Sequence, residues 1–303
     1  MKQKILVIGG NGFIGRNVVL RAISLGWDVT SLSLSGRGSK EVSCIAKDIN
    51  DLSGLSAALS DTQYHYVVNC GGYVDHTLFR YGGRKIMESH FDGLLNLVKA
   101  LDRTALKSFV NIGSSDEYGN NPAPQREDYR ESPISPYSMG KLASSHFLQM
   151  LHKTEGFPAV TLRLFLTYGP GQDVKRFIPQ IIKGCIADAD FPVSLGEQER
   201  DFCFIDDVVD AVFCIMSSEK AKGEIFNVGS GRPASIKSLI TKICSMVGNG
   251  NPQFGELPYR AGENMCLYAD VQKIYDTFGW VSKVSLNEGL ERTISSYKEF
   301  FHA

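Results

Sequence analysis

The sequence predicts an α/β protein, a doubly wound parallel sheet with a smaller C-terminal lobe, and three observations carry that expectation. First, the apolar run Lys4-Ile5-Leu6-Val7-Ile8 breaks at once into Gly9-Gly10-Asn11-Gly12-Phe13-Ile14-Gly15, and a helical pattern follows at Val18, Val19, Ala22 and Leu25. Second, strand and helix patterns alternate to about residue 165, which implies parallel strands covered by helices on both faces. Third, past residue 170 prolines and glycines become frequent and the strands short, as in a lobe built from insertions.

In order, the second strand is Trp27-Asp28-Val29-Thr30-Ser31-Leu32, the third covers 43–46, and the fourth is Tyr66-Val67-Val68-Asn69. Ile86, Met87, Phe91, Leu94, Leu95, Val98 and Leu101 give residues 84–102 the stripe of one amphipathic helix. Phe109-Val110-Asn111-Ile112 is a fifth strand, a long helix covers about 137–154, and Ala159–Leu164 is a further strand. Later helices are expected near 175–187, 206–217, 235–247 and 285–300, with Ser235 as the N-cap of the third of these. The division this implies is a Rossmann-type domain over 1–168, joined by returning segments at about 201–230, and a mainly substrate-binding lobe over 169–303. Ligands of such sheets bind at the carboxyl ends of the strands, so the cleft between lobes is the expected site.

Composition excludes several functions. At 303 residues, 43% apolar, 21% charged and a formal charge of −1, the chain reads as an ordinary soluble protein without the basic surface that nucleic acid needs. No apolar run approaches a membrane span, and the N-terminus reads as a strand with no signal peptide, so a cytoplasmic location is expected. The seven cysteines lack metal-ligand spacing and mostly sit in apolar runs, as reduced core residues would. No metal site is expected.

The glycine turn is suited to a dinucleotide pyrophosphate. Gly9 allows the tight turn, Gly12 the close approach of backbone to phosphate, and Gly15 the contact of helix with strand; Asn11, Phe13 and Ile14 complete the set. The helix N-terminus then offers free N–H groups and partial positive charge. The end of the second strand commonly carries a carboxylate for the ribose 2′-hydroxyl of NAD, but here Ser33 stands there, followed by Ser35 and Arg37. Small hydroxyls and an arginine accept a 2′-phosphate, which favours NADP, with NAD as the alternative.

The catalytic candidates lie downstream. The fifth strand runs into Gly113-Ser114-Ser115-Asp116-Glu117-Tyr118-Gly119, and Ser135-Pro136-Tyr137-Ser138-Met139-Gly140-Lys141 follows. Tyr137 and Lys141 are four apart and share a helix face. The ammonium is expected to lower the phenol's pKa, so that Tyr137 passes a proton to or from a substrate oxygen that Ser114 orients. His76 and His90 are weaker candidates, since a lone histidine is more often structural.

With these motifs the sequence resembles the extended short-chain dehydrogenase/reductase family, in particular its NAD(P)-dependent enzymes of nucleotide-sugar metabolism. The resemblance rests on Gly9-x-x-Gly12-x-x-Gly15, Asp48-Ile49, Ser114, Tyr137-x-x-x-Lys141, Arg163 with Tyr168-Gly169-Pro170-Gly171, Arg200-Asp201-Phe202, Asp206-Asp207-Val208, and Arg260 with Glu263. It implies that Ser114, Tyr137 and Lys141 form a catalytic triad, with Tyr137 and Lys141 also touching the cofactor, and that Asp48 and Ile49 hold the adenine. Lys175, Arg176 and Phe177 would border the nucleotide of a nucleotide-diphosphate sugar, Arg200 and Arg260 its diphosphate, and Glu263 a ribose hydroxyl; Ser115 and Asp116 would face the sugar. Asp206 and Asp207 are read as caps of the helix they open. The resemblance further implies a homodimer through the helices near 84–102 and 137–154.

Departures from the family pattern bear on the reaction. Dehydratases resemble Thr-Asp-Glu-Val-Tyr-Gly at the strand end, an acidic pair that removes water. Here the Asp position is Ser115 and the Glu position a shorter Asp116, so the acids are shifted by one residue. Leu166 stands where epimerases and many dehydratases carry Asn, and Asn69-Cys70-Gly71-Gly72 replaces His-x-Ala-Ala. These departures, with the NADP-like residues, point to reduction of a 4-keto, often 6-deoxy, nucleotide sugar with Tyr137 as general acid. Similar enzymes make deoxysugars for bacterial surface polysaccharides. The alternatives are a C4 epimerase, then a 4,6-dehydratase or a non-catalytic NADP-binding regulator.

Overall fold

The computed structural model describes residues 2–36, 38, 40–259 and 262–302. The first half of the chain forms β1 (Lys4–Ile8), α1 (Phe13–Ser24), β2 (Asp28–Ser33), β3 (Ser43–Ala46), α2 (Leu52–Leu59) and β4 (Tyr66–Asn69). It continues with α3 (Gly83–Met87), α4 (Gly93–Ala100), β5 (Ser108–Ser114), α5 (Pro136–Glu155) and β6 (Ala159–Leu164). Then come β7 (Leu166–Tyr168), α6 (Phe177–Ile186), β8 (Asp190–Val193), β9 (Glu199–Phe204), α7 (Ile205–Met216) and β10 (Ile225–Val228). The chain closes with β11 (Pro233–Ser235), α8 (Ile236–Val247), β12 (Asn251–Phe254), β13 (Cys266–Leu267), α9 (Gln272–Phe278) and α10 (Leu286–His302).

Seven strands form one parallel sheet in the order β10-β6-β5-β4-β1-β2-β3, the Rossmann-type architecture expected. Its central strands are buried on both faces, which is why they read as continuous apolar runs and not as alternating ones. The chain winds outward from β1 to β3 and then returns to β4 on the other side of β1. Such a reversal opens a crevice at the carboxyl ends of β1 and β4, and the glycine turn stands there. In the second half, β7, β9, β11 and β13 form a small sheet and β8 pairs β12, while α7 packs on the large sheet and β10 extends it.

Local chemistry fixes the helix ends nearest the site. Ser135 caps α5 by accepting the Ser138 N–H at 3.1 Å, Pro136 occupies the first turn, and Gly156 ends the helix at φ +66°. Ser235 caps α8 in the same way. The helix expected over 84–102 departs from one regular element: α3 and α4 are joined by a π-helical turn, Glu88–Asp92, centred on His90.

Asp206 and Asp207 also differ from expectation. Both lie in the first turn of α7, whose N-cap is Phe204. Asp207 instead accepts the Lys283 and Val284 N–H groups at 3.0 Å each, and Asp206 pairs with Arg292, so the two tie the C-terminal segment to the start of α7. The cysteines are free, but only Cys185 and Cys203 are buried; Cys44, Cys214 and Cys266 are exposed. Cys44 lies on the edge strand β3, where one flank of an apolar run meets solvent. Among the described residues, no helix is long and apolar enough to cross a membrane, and no group of three or more His, Cys, Asp or Glu could hold a metal ion.

Candidate active site

The glycine turn is shaped as a cradle. Gly9 has φ +70°, and a Cβ there would lie 2.8 Å from the Cys70 carbonyl oxygen. A Cβ on Gly15 would lie 2.3 Å from the Gly9 oxygen, so only glycine lets α1 start this close to β1. Gly12 is the N-cap of α1 and supplies no side-chain cap, which leaves the first-turn N–H groups at Phe13, Ile14 and Gly15 to an external acceptor. These features fit a dinucleotide pyrophosphate.

Beside the turn, Asn11 Nδ2 donates to Ser33 Oγ at 2.8 Å and Ser35 Oγ at 2.9 Å, gathering the predicted hydroxyls at the end of β2. A cavity of about 580 Å³ adjoins them, lined by Gly10, Asn11, Arg16, Ser31 and Ser35 among others. Arg37 lies outside the described residues. Asp48 accepts the Asn50 N–H at 2.9 Å, which shapes the turn after β3, and Ile49 packs against Gly71 and Gly93.

The structure brings Ser114, Tyr137 and Lys141 together where β5 ends against α5, and all three are buried. Lys141 Nζ donates to the Ile112 carbonyl at 2.7 Å, and burial lowers its pKa to about 8 against the pull of Glu117. Tyr137 departs from expectation. Burial and then the Asp116 charge push the phenol's pKa up, and the Ser114 hydroxyl only partly offsets them. The ammonium is turned to the Ile112 carbonyl, so the phenol holds its proton at neutral pH.

The two acids after Ser114 separate completely. Glu117 is fully buried, where its carboxylate accepts the Ser114 N–H (2.9 Å), Ser145 Oγ (2.8 Å) and Arg163 Nε (2.8 Å). Arg163 also donates to Glu131 at 2.6 Å and lies over the Tyr118 ring. Asp116 instead lies in the cleft with 31% of its side chain exposed, and desolvation raises its pKa against His76, Arg200 and Arg176. Ser115 is buried beneath the same turn.

The other predicted substrate residues are divided. Arg176 is the N-cap of α6, close enough for its charge to act on both Asp116 and Tyr137. Lys175 and Phe177 are exposed beside it. Arg200 and Glu263, predicted to bind diphosphate and ribose separately, form an ion pair with each other. Arg260 lies outside the described residues.

Two histidines complete the pocket. His90 is buried 5.0 Å from Tyr137, ring centroid to ring centroid, and Nε2 is 2.9 Å from the Tyr73 carbonyl, so that nitrogen carries the proton. Burial and the Lys141 charge lower its pKa to about 3. The unfolded chain protonates this ring near about 6.5, so stability is complete above that pH and falls as pH drops toward 3, by up to about 1.4 kcal/mol per pH unit. His90→Gln keeps a donor for Tyr73 and removes the titration. Urea midpoints of the variant are therefore expected to change less than those of the parent between pH 7 and 5; parallel shifts would reject this account.

These elements define a dinucleotide-binding α/β enzyme fold with a Ser-Tyr-Lys site. A family model described as the NAD dependent epimerase/dehydratase family matches residues 5–229, and the chain belongs to that family. It is 27% identical to dTDP-glucose 4,6-dehydratase of Xanthomonas campestris pv. campestris (strain B100), over 96% of this chain and 92% of the relative. It is 26% identical to a putative UDP-glucose 4-epimerase of Methanocaldococcus jannaschii, over 97% and 98%. Among solved structures it is similar to UDP-glucose 4-epimerase of Thermotoga maritima with UDP-glucose, at TM-score 0.91 and 26% identity, covering 99% of this chain and 100% of that one. UDP-glucuronic acid 4-epimerase of Bacillus cereus, in complex with UDP-glucuronic acid and NAD, is similar at TM-score 0.89 and 26% identity, covering 98% and 100%.

Proposed function

We propose that the protein is a nucleotide-sugar C4 epimerase that keeps its nicotinamide cofactor bound. The observation that carries this reading is the pairing of a buried Ser114–Tyr137–Lys141 site with the removal of Glu117 into the core. Without Glu117, the strand-end turn presents a single carboxylate to the cleft, and water loss across two carbons needs an acid and a base there. Oxidation and re-reduction at one carbon need only a cofactor and one proton carrier. The similarity to 4-epimerases supports the same choice over the reduction that the sequence first suggests.

In this reading Tyr137 exchanges a proton with the sugar O4, Ser114 orients that oxygen, and Lys141 holds the nicotinamide ribose. A nicotinamide held beside these residues would supply the hydride acceptor and donor. Arg176 and Arg200 would face the diphosphate, which requires Glu263 to yield part of its contact with Arg200. Gly9 to Gly15 would hold the pyrophosphate, Asp48 and Ile49 the adenine side, and α3, α4 and α5 would form the face of a homodimer.

A second reading, the NADPH-dependent 4-keto reductase, is favoured by one feature: β2 ends on Ser33, joined to Ser35 through Asn11, with no carboxylate at that position. One assay separates the two. The protein purified without added nucleotide is given UDP- and dTDP-hexoses, then NADPH with 4-keto-6-deoxy nucleotide sugars. Inversion at C4 with no net cofactor change is expected. Stoichiometric NADPH oxidation with no inversion would establish the reductase instead.

A further inference from the structure

Among the described residues one pair of cysteines is in direct contact, and the Ser-Tyr-Lys site uses neither. Cys185 in the last turn of α6 and Cys244 in the last turn of α8 have their Sγ atoms 3.4 Å apart, although 59 positions separate them in the sequence. Their surroundings differ. Cys185 is fully buried, and burial with the neighbouring Cys244 sulfur pushes its thiol up to about 12. Gly250, at φ +102°, packs directly on it: a Cβ there would lie 2.7 Å from Cys185 Cα and 2.8 Å from its sulfur. Cys244 is half-buried and packs against the edge of the same core. One thiol is therefore open to a small reagent, and its neighbour is sealed beside it. The chain after Cys185 enters β8 and the chain after Cys244 enters β12, which pair as a sheet of two strands. Two strands alone are marginally stable, so this layer depends on what holds α6 to α8.

We propose that Cys185 and Cys244 form a reversible dithiol site, which a hydroperoxide closes into a disulfide that staples α6 and β8 to α8 and β12. The Cys244 sulfur attacks one peroxide oxygen and the O–O bond breaks. Cys244 becomes a sulfenic acid, and the departing alkoxide or hydroxide takes the proton that the thiol gave up. The Cys185 sulfur then attacks the Cys244 sulfur, the S–O bond breaks, and hydroxide leaves with the Cys185 proton as water. The two thiols lose two electrons to the peroxide, and no other oxidant is needed. A disulfide bond is about 2.05 Å long, so the two sulfurs close by about 1.4 Å. Because the linked residues lie 59 positions apart, the bridge removes disorder from the unfolded chain. Oxidation thus hardens this layer against unfolding, whatever reaction the Ser-Tyr-Lys site performs. Where thiols are kept reduced the pair stays open, as a sensing pair would.

The test treats the full chain, freshly reduced and freed of reductant, with hydrogen peroxide, then unfolds it in an alkylating reagent and maps its peptides by mass spectrometry. A linked pair of peptides carrying Cys185 and Cys244, two hydrogens lighter than its reduced parts, is expected, and dithiothreitol should separate it. In urea the oxidised chain should unfold with an equilibrium constant lower by about 30-fold or more, the small end of the effect for a bridge. Cys244→Ser and Cys185→Ala should each lose both the link and the gain, while their reduced forms keep parental turnover. Cys244→Ser alters a half-buried side chain and keeps the test valid if Cys185→Ala does not fold. Peroxide that leaves both thiols open to alkylation, or that carries Cys244 to sulfinic acid without a link, would overturn the site. So would a gain in stability that persists in oxidised Cys244→Ser.

Discussion

Tyr137→Phe is expected to lower turnover by about 10²–10⁴-fold, with the KM for nucleotide sugar changed by no more than a few-fold. The substitution removes one oxygen from a ring packed between His76 and His90, so the helix and both aromatic contacts remain. On the proposed reading, what is lost is the proton carrier. Because burial and Asp116 raise the phenol's pKa, Tyr137 stands protonated before the sugar binds and can serve as an acid in the reductive half of the reaction. On the proposed reading, its role as base in the oxidative half would depend on positive charge at the cofactor and on Lys141, whose own pKa of about 8 keeps it mostly charged at neutral pH. Steady-state rates and bound-cofactor content, measured on the same preparation, check the expectation. Full activity in the variant would show that Tyr137 does not carry the proton.

What the sequence made legible was what depends on local spacing. The glycine turn announces itself because a tight turn, a helix start and a strand contact fall within seven residues, and the Cβ positions at Gly9 and Gly15 show why no other residue fits. Tyr137 and Lys141 share a face because four residues make about one helical turn. The fate of Asp116 and Glu117 was not legible. They are adjacent in sequence, but in the 3₁₀ turn of residues 115–118 successive side chains diverge by about 120°, so one enters the cleft and the other the core. What claims Glu117 is Arg163, a partner 46 residues away that only the β5–β6 pairing reveals. The Arg200–Glu263 pair is hidden for the same reason, its members being 63 positions apart in the sequence. The π turn at His90 inserts one residue into a pattern whose apolar stripe continues on either side, so periodicity reads through it.

Arg163→Met is expected to destabilise the fold by about 3–5 kcal/mol, the cost of leaving a buried charge without its partner. Arg163 and Glu117 are both fully buried. The substituted chain would keep Glu117 and Glu131 while losing the cation between them. Glu131 has a second partner in His146 at 3.3 Å and lies nearer solvent, so Glu117 bears most of the loss. Its carboxylate joins the end of β5 through the Ser114 N–H, α5 through Ser145 and β6 through Arg163, the three elements that meet behind the Ser-Tyr-Lys site. Destabilisation should therefore be accompanied by a lower kcat even where the variant is fully folded, because Ser114 and the α5 face lose their shared anchor. The urea midpoint gives the first effect and turnover under folding conditions the second. Adding Glu117→Leu to Arg163→Met should recover part of the stability, since a buried pair exchanged for apolar groups is often tolerated. It should not recover turnover, because the Ser114 N–H remains without its acceptor and the Ser145 hydroxyl, left with the Lys141 carbonyl alone, no longer ties α5 to the end of β5. A double variant with parental kcat would mean that the ion pair only supports the fold and does not position the site.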